Sequence, residues 1–144
     1  MEYIVLDPKT GQHPTHTSDH IARFLEDHLD QFGDRKEDIL KCLAYVFDPR
    51  RGGFVVLAVE DGAILGAVVV NETGMGGYIP ENILVYIAVD RKQRGRGVGK
   101  GLMLAAMEKA TGAIALHVEP DNPAKKLYEA LGFTNKYLEM RLHR

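Results

Sequence analysis

Between residues 54 and 89 the chain carries three apolar runs, FVVLAVE (54–60), AILGAVVVN (63–71) and ILVYIAV (83–89). The first two flank Asp61-Gly62, and Asp-Gly between β-rich runs predicts a tight hairpin. The third is apolar at nearly every position, which predicts a strand covered on both faces. Such a strand needs packed layers above and below it, and helical patterns lie on either side of these runs in the sequence. Ile21, Phe24, Leu25, His28 and Leu29 follow helical spacing and stop at Gly33. Asp34 then reads as the cap of a second helix with Ile39, Leu40, Leu43 and Phe47, ended by Asp48-Pro49.

The remaining elements follow from the same signals. YIVL (3–6), closed by Asp7-Pro8, predicts a first strand. Leu102, Met103, Ala106 and Ala110 mark a helix, and AIALHVE (113–119) a further strand. Asn122-Pro123 opens a helix with Ala124, Leu127, Tyr128 and Leu131 on one face, and Gly132 ends it. FTNKYLEMRL (133–142) reads as a closing strand. The fold class is α/β: a mixed β-sheet flanked by helices on both faces, in the order β-α-α-β-β-β-α-β-α-β. A length of 144 residues suits one domain, 1–144, and no repeat or linker divides it.

One turn concentrates cations and glycines. In IAVDRKQRGRGVGKGLM (87–103) a strand-like run enters and a helix-like run leaves. Glycines let a backbone turn tightly and approach a ligand closely. The first N–H groups of the following helix lack intrahelical partners, and with the positive end of the helix dipole they form an anion site that suits phosphate. Arg94, Arg96 and Lys100 add positive charge. The phosphate-loop pattern fails here, because Gly95 is followed at the required glycine position by Lys100. The dinucleotide fingerprint fails too, since the glycines alternate and no early strand near the N-terminus precedes them. A solvated basic turn is the alternative.

Charge and composition exclude other classes. Eighteen Lys+Arg against twenty Asp+Glu give a net charge of -2, which argues against a general nucleic-acid binder. No apolar run reaches membrane-spanning length and MEYIVLDPKT has no signal-peptide pattern, so the expected location is cytoplasmic, with no membrane partner. The single cysteine, Cys42, has no nucleophile context and reads as a helix residue. His13, His16, His20 and His28 cluster, but without accompanying cysteines the stretch reads as a solvated loop, with no metal.

RGRGVG (94–99) together with LHVEPDNPAKKLYEALGF (116–133) closely resembles the GNAT family of N-acetyltransferases. The matching residues are Arg94-x-x-Gly97-x-Gly99, Asn122 opening a helix, Tyr128 within it, and Gly132-Phe133 after it. The resemblance covers roughly residues 83–142 by motif. It implies an acetyl-CoA-dependent N-acetyltransferase that passes the acetyl group directly to an amine acceptor, either a small molecule or a peptide or protein amine. It also implies a bulged fourth strand that splays from the fifth. The pantetheine arm would lie along Ile87, Ala88 and Val89. The pyrophosphate would sit on Arg94, Gly95, Arg96, Gly97, Val98, Gly99 and Lys100. An amide near Ile87 or Val89 would stabilise the oxyanion. Asn122 serves as a helix cap, as a contact to the cofactor arm, or as both.

Tyr128 resembles the family's general acid; a core tyrosine is the plain alternative. No glutamate lies in ILVYIAV, so the general base falls to His117, which occupies the position where some members carry a glutamate. Glu81 and Glu119 are weaker candidates. The acceptor is expected to contact the first two helices, the NETGMGGYIPEN loop (71–82) and the C-terminal strand. A homodimer stays open, although the short tail departs from the family's two terminal strands. The alternative from another class is a non-catalytic acyl-CoA-binding sensor or scaffold, which would keep the glycine turn without needing Tyr128.

Overall fold

Branched apolar side chains fit a pleated surface buried on both sides, and they build the three long central strands. A computed structural model of the protein describes residues 1–144. In chain order the elements are β1 (Glu2–Leu6), α1 (Ser18–His28), α2 (Lys36–Phe47), β2 (Gly53–Glu60), β3 (Ala63–Glu72), β4 (Asn82–Val89), α3 (Val98–Lys109), β5 (Ile114–Leu116) and α4 (Ala124–Ala130). Short 3-10 turns lie at Asp30–Phe32 and Arg91–Gln93. The sheet order is β1-β2-β3-β4-β5, with four antiparallel strands and β5 parallel to β4. The hairpin turn at Asp61-Gly62 has φ of 52° and 77°, the left-handed pair that a two-residue turn requires.

Helices cover both faces. Ile21, Leu25, Ile39 and Leu43 of α1 and α2 pack with Val55, Leu57, Ala67 and Val69 on one side. Val98, Leu102, Met103 and Ala106 of α3, with Tyr128 of α4, pack with Val56, Ala58, Val68 and Val70 on the other. Each fully buried Val, Leu or Ile side chain stabilises by roughly 1.5–3 kcal/mol. Gly66 of β3 lets α3 come close: an added Cβ would lie 2.8 Å from Leu102 Cδ1 and 3.0 Å from Val98 Cγ1.

β4 contains a bulge. Val70 pairs with Leu84 and Val69 with Tyr86, which leaves Val85 as the extra residue. A one-residue insertion turns the following side chains to the other face. Leu84 therefore joins the α3 cluster, while Tyr86 and Ala88 join the cluster under α1 and α2.

Three expectations need correction. The strand expected over 113–119 is formed only at Ile114–Leu116. The closing strand over 133–142 does not form, so the element order ends at α4. Alternating apolar residues suit a strand, but a strand needs a partner ladder. Tyr137, Leu138, Met140 and Leu142 stay 76–92% exposed with no strand beside them. Asp34 does not cap α2: the N-cap residue is Arg35, which makes no side-chain capping bond, and the first amide, Lys36, donates to Glu26 Oε2. The Asp34 carboxylate is drawn instead to a tyrosine on β4.

Candidate active site

β4 and β5 are paired only from Asn82–Ile114 to Leu84–Leu116. Beyond Leu84 the two strands part, and the second half of β4 has a free edge. The Asp90 amide donates to Leu65 O at 2.8 Å, toward β3. Backbone groups alternate along a strand, so those of Ala88 also turn to β3, and those of Ile87 and Val89 face the gap. Of the three strand residues expected to meet a ligand arm, Ile87 and Val89 offer open edges, while the Ala88 backbone is spent on the ladder. The Val89 carbonyl accepts the Arg94 Nε at 3.3 Å.

The gap leads to the glycine turn. Gly97, at φ 77°, caps α3 in a left-handed conformation that glycine adopts without strain. The first backbone bond of α3 runs from the Gly101 amide to Gly97 O. Every amide from Arg94 to Lys100 (Arg94, Gly95, Arg96, Gly97, Val98, Gly99, Lys100) donates to no protein acceptor. These donors and the helix dipole make a cradle for an anion.

The cations of the turn divide into two groups. The Arg94 guanidinium is committed: Nη1 meets Asp30 at 3.1 Å and Nη2 donates to His28 O at 2.8 Å. Arg91 reaches Asp30 at 2.8 Å and Asp27 at 3.3 Å. The hydrogen bonds from Arg91, then Arg94, hold the Asp30 carboxyl below its usual range. This latch ties the end of α1 to the turn. Arg96 bonds Gln93 and Glu60, whereas Lys100 is exposed and has no acidic partner. Arg94 therefore shapes the turn through its side chain, and Lys100, like Lys92, is left without an acidic partner.

α4 flanks the gap. A Cβ built on Gly99 would lie 3.6 Å from both Leu127 Cδ2 and Val89 Cγ2, so α4 reaches the head of α3 and the end of β4. The Tyr128 ring is 6% exposed and lies 6.1 Å from the Phe133 ring. Its hydroxyl has no protein partner, and burial pushes its pKa up to about 12. Asn122 Oδ1 accepts the Ala124 amide at 2.9 Å, so the capping reading of Asn122 holds. His117 is exposed just beyond β5 and makes no hydrogen bond in the protein. Glu81 is bound to the Ala113 amide at 2.9 Å, at the paired end of β4 and β5, and that bond holds its carboxyl low. Glu119 is exposed in the loop after β5.

Sequence reasoning missed the pair on the opposite face. The Tyr86 hydroxyl donates to Asp34 Oδ2 at 2.6 Å. The only local signal was a tyrosine within an otherwise apolar strand. The histidine stretch also differs from expectation. His16 is 4% exposed rather than solvated, with its ring 4.9 Å from His13 and 5.4 Å from His20. No group of three or more His, Cys, Asp or Glu side chains is arranged to hold a metal ion. No helix is long and apolar enough to cross a membrane.

The family model described as the acetyltransferase (GNAT) family matches residues 14–133. No curated protein matches the chain. Among solved structures, the chain is similar to an aminoglycoside N-acetyltransferase, AAC(6')-Iy, in complex with CoA. That match has a TM-score of 0.71 and 19% identity over 99% of this chain and 93% of the other. It is also similar to a ribosomal-protein-alanine N-acetyltransferase from Brucella melitensis biovar Abortus 2308 (TM-score 0.65, 18% identity, 100% of both chains). A transcriptional regulator from Bacillus halodurans C-125 shares the fold as well (TM-score 0.70, 16% identity, 99% of this chain and 100% of the other). At these identities the likeness establishes the fold.

Proposed function

The chain belongs to the acetyltransferase (GNAT) family, and from that premise we propose that it is an acetyl-CoA-dependent N-acetyltransferase acting on an amine. The observation that carries this reading is the unbroken row of unpaired amides from Arg94 to Lys100, continuous with the free edge of β4. Amides and a helix N-terminus suit a pyrophosphate, and an open strand edge suits an amide-bearing arm. The residues present therefore fit CoA, with Arg94–Lys100 at its phosphates and Ile87 and Val89 along its arm. Bound acetyl-CoA supplies a thioester whose acetyl group passes directly to the amine nitrogen.

The chain's own groups do the rest. An amide of the open β4 edge, Ile87 or Val89, donates to the developing oxyanion. Tyr128 gives its proton to the departing thiolate. Its raised pKa keeps it protonated at neutral pH, as an acid must be. His117 takes the proton from the amine. It is exposed at the end of β5 and unengaged, which leaves it free to do so.

Thiol release from acetyl-CoA, measured with a panel of amines, tests the reading. Tyr128→Phe should lower kcat by about 100-fold with unchanged CoA affinity. A wild-type protein that binds CoA calorimetrically and releases no thiol with any amine would point to a non-catalytic acyl-CoA-binding module. Failure to bind CoA would overturn the reading of the turn.

A further inference from the structure

The junction between α1 and α2 carries two carboxylates without a cationic side chain: Glu26, whose Oε2 accepts the Lys36 amide at 2.5 Å, and Asp34. Asp19, Asp27, Asp30, Glu37 and Asp38 each meet a Lys or Arg nitrogen. Asp34 meets none. Its Oδ2 accepts the Tyr86 hydroxyl at 2.6 Å, and its Oδ1 accepts no protein donor. Tyr86 is 8% exposed, while Asp34 is open to solvent. The phenol orients the carboxylate without neutralising it. Burial, then the bond to Asp34, raises the Tyr86 pKa far above its ordinary range, so the proton stays on the phenol. The other groups that act on Tyr86 electrostatically are Cys42 and Asp38, neither of them a cation. A fixed carboxylate with a free oxygen and no cation within ion-pair distance attracts a positive ligand, and pre-orientation lowers the cost of binding one.

Its position gives that ligand a role. Tyr86 directly follows the bulge at Val85, where β4 begins to leave β5, and its side chain lies on the α1 and α2 face. Through Tyr86, Asp34 is tied to the point of β4 at which the gap opens, on the face opposite α3 and Tyr128. We infer that Asp34, oriented by Tyr86, receives an ammonium group of the acceptor, so that the acceptor is an aliphatic amine cationic at neutral pH. The assignment rests on reading the cleft as the site of acetyl transfer.

Calorimetry and thiol release on the full chain test it. The cationic probes are 1,4-diaminobutane, spermidine and a lysine-containing peptide, and aniline is the neutral amine. With CoA saturating, at least one cationic probe should bind the wild type. Asp34→Asn should weaken that binding about tenfold or more, with CoA affinity unchanged. In turnover the same variant should raise KM for the cationic probe far more than it lowers kcat, and leave aniline's KM unmoved. Asp34→Glu should restore part of the loss. Equal KM values in wild type and Asp34→Asn, an equal rise with aniline, or no binding of any cationic probe would each overturn the assignment. Thiol release indifferent to Asp34→Asn would do so while leaving the transferase intact. Asp34-dependent binding of a cationic probe without thiol release would keep Asp34's role and remove the transfer reading.

Discussion

Two buried tyrosines, Tyr86 and Tyr128, differ in a way that follows from their surroundings. Tyr86 has an acceptor for its proton, and Tyr128 has none in the protein. A partnerless phenol beside a cleft is free to donate to whatever occupies it. His16 makes a separate statement about stability. Burial first, then the nearby His13 and His20, hold its imidazole below the ordinary range, and its Nδ1 has no partner. The folded chain thus binds this proton less readily than the unfolded chain does. Stability from neutral His16 is fully present above the ordinary histidine value of 6.5, and it is lost as pH falls through the lowered folded value. Thermal melts at about pH 7.5 and about pH 5.5 should show a smaller acid-side drop for His16→Leu than for wild type. An equal drop in both proteins would remove His16 from the account.

Among the elements, the approach of α3 to β3 sets where the anion cradle stands. Gly66 permits that approach, because a Cβ there would press on Leu102 and Val98. Gly66→Val should destabilise the protein by about 1–3 kcal/mol through overpacking, read by urea unfolding. A change within about 0.5 kcal/mol would show that α3 yields easily. Much at this scale was legible in the sequence, because its signals are local. Val and Ile runs, an Asp-Gly turn and a glycine-studded helix start each announce themselves within a few residues. Other features depend on distant partners. ILVYIAV is apolar throughout, so periodicity could not say which residue is the extra one, although the family resemblance implied a bulge in that strand. Asp34 precedes a helical pattern and looks like a cap, but its partner Tyr86 lies 52 positions away. Arg94 reads as a phosphate ligand until Asp30, 64 positions away, takes its guanidinium. FTNKYLEMRL has strand-like alternation, and nothing local reveals that no neighbouring edge awaits it.

For the molecule as a whole, the segment after α3 joins the sheet through three paired positions of β4 and β5, the Glu81 and Asn82 side-chain bonds to Thr111 and Ala113, and the side chains of α4 on the α3 face. β2 and β3, by contrast, are paired along nearly their whole length. Native-state hydrogen exchange should therefore find the β5 amides opening well before those of β2 and β3. Saturating CoA should slow exchange in β5 and α4 more than in β1. Uniform slowing across the sheet would contradict the short seam. If CoA lies in the gap as proposed, it touches both sides of that seam and acts as mortar between them. A ligand at about 100 times its Kd adds about 2.7 kcal/mol of stability. The resistance of this protein to heat and proteases would then rise and fall with its supply of CoA, so that its lifetime reports on the pool it draws from.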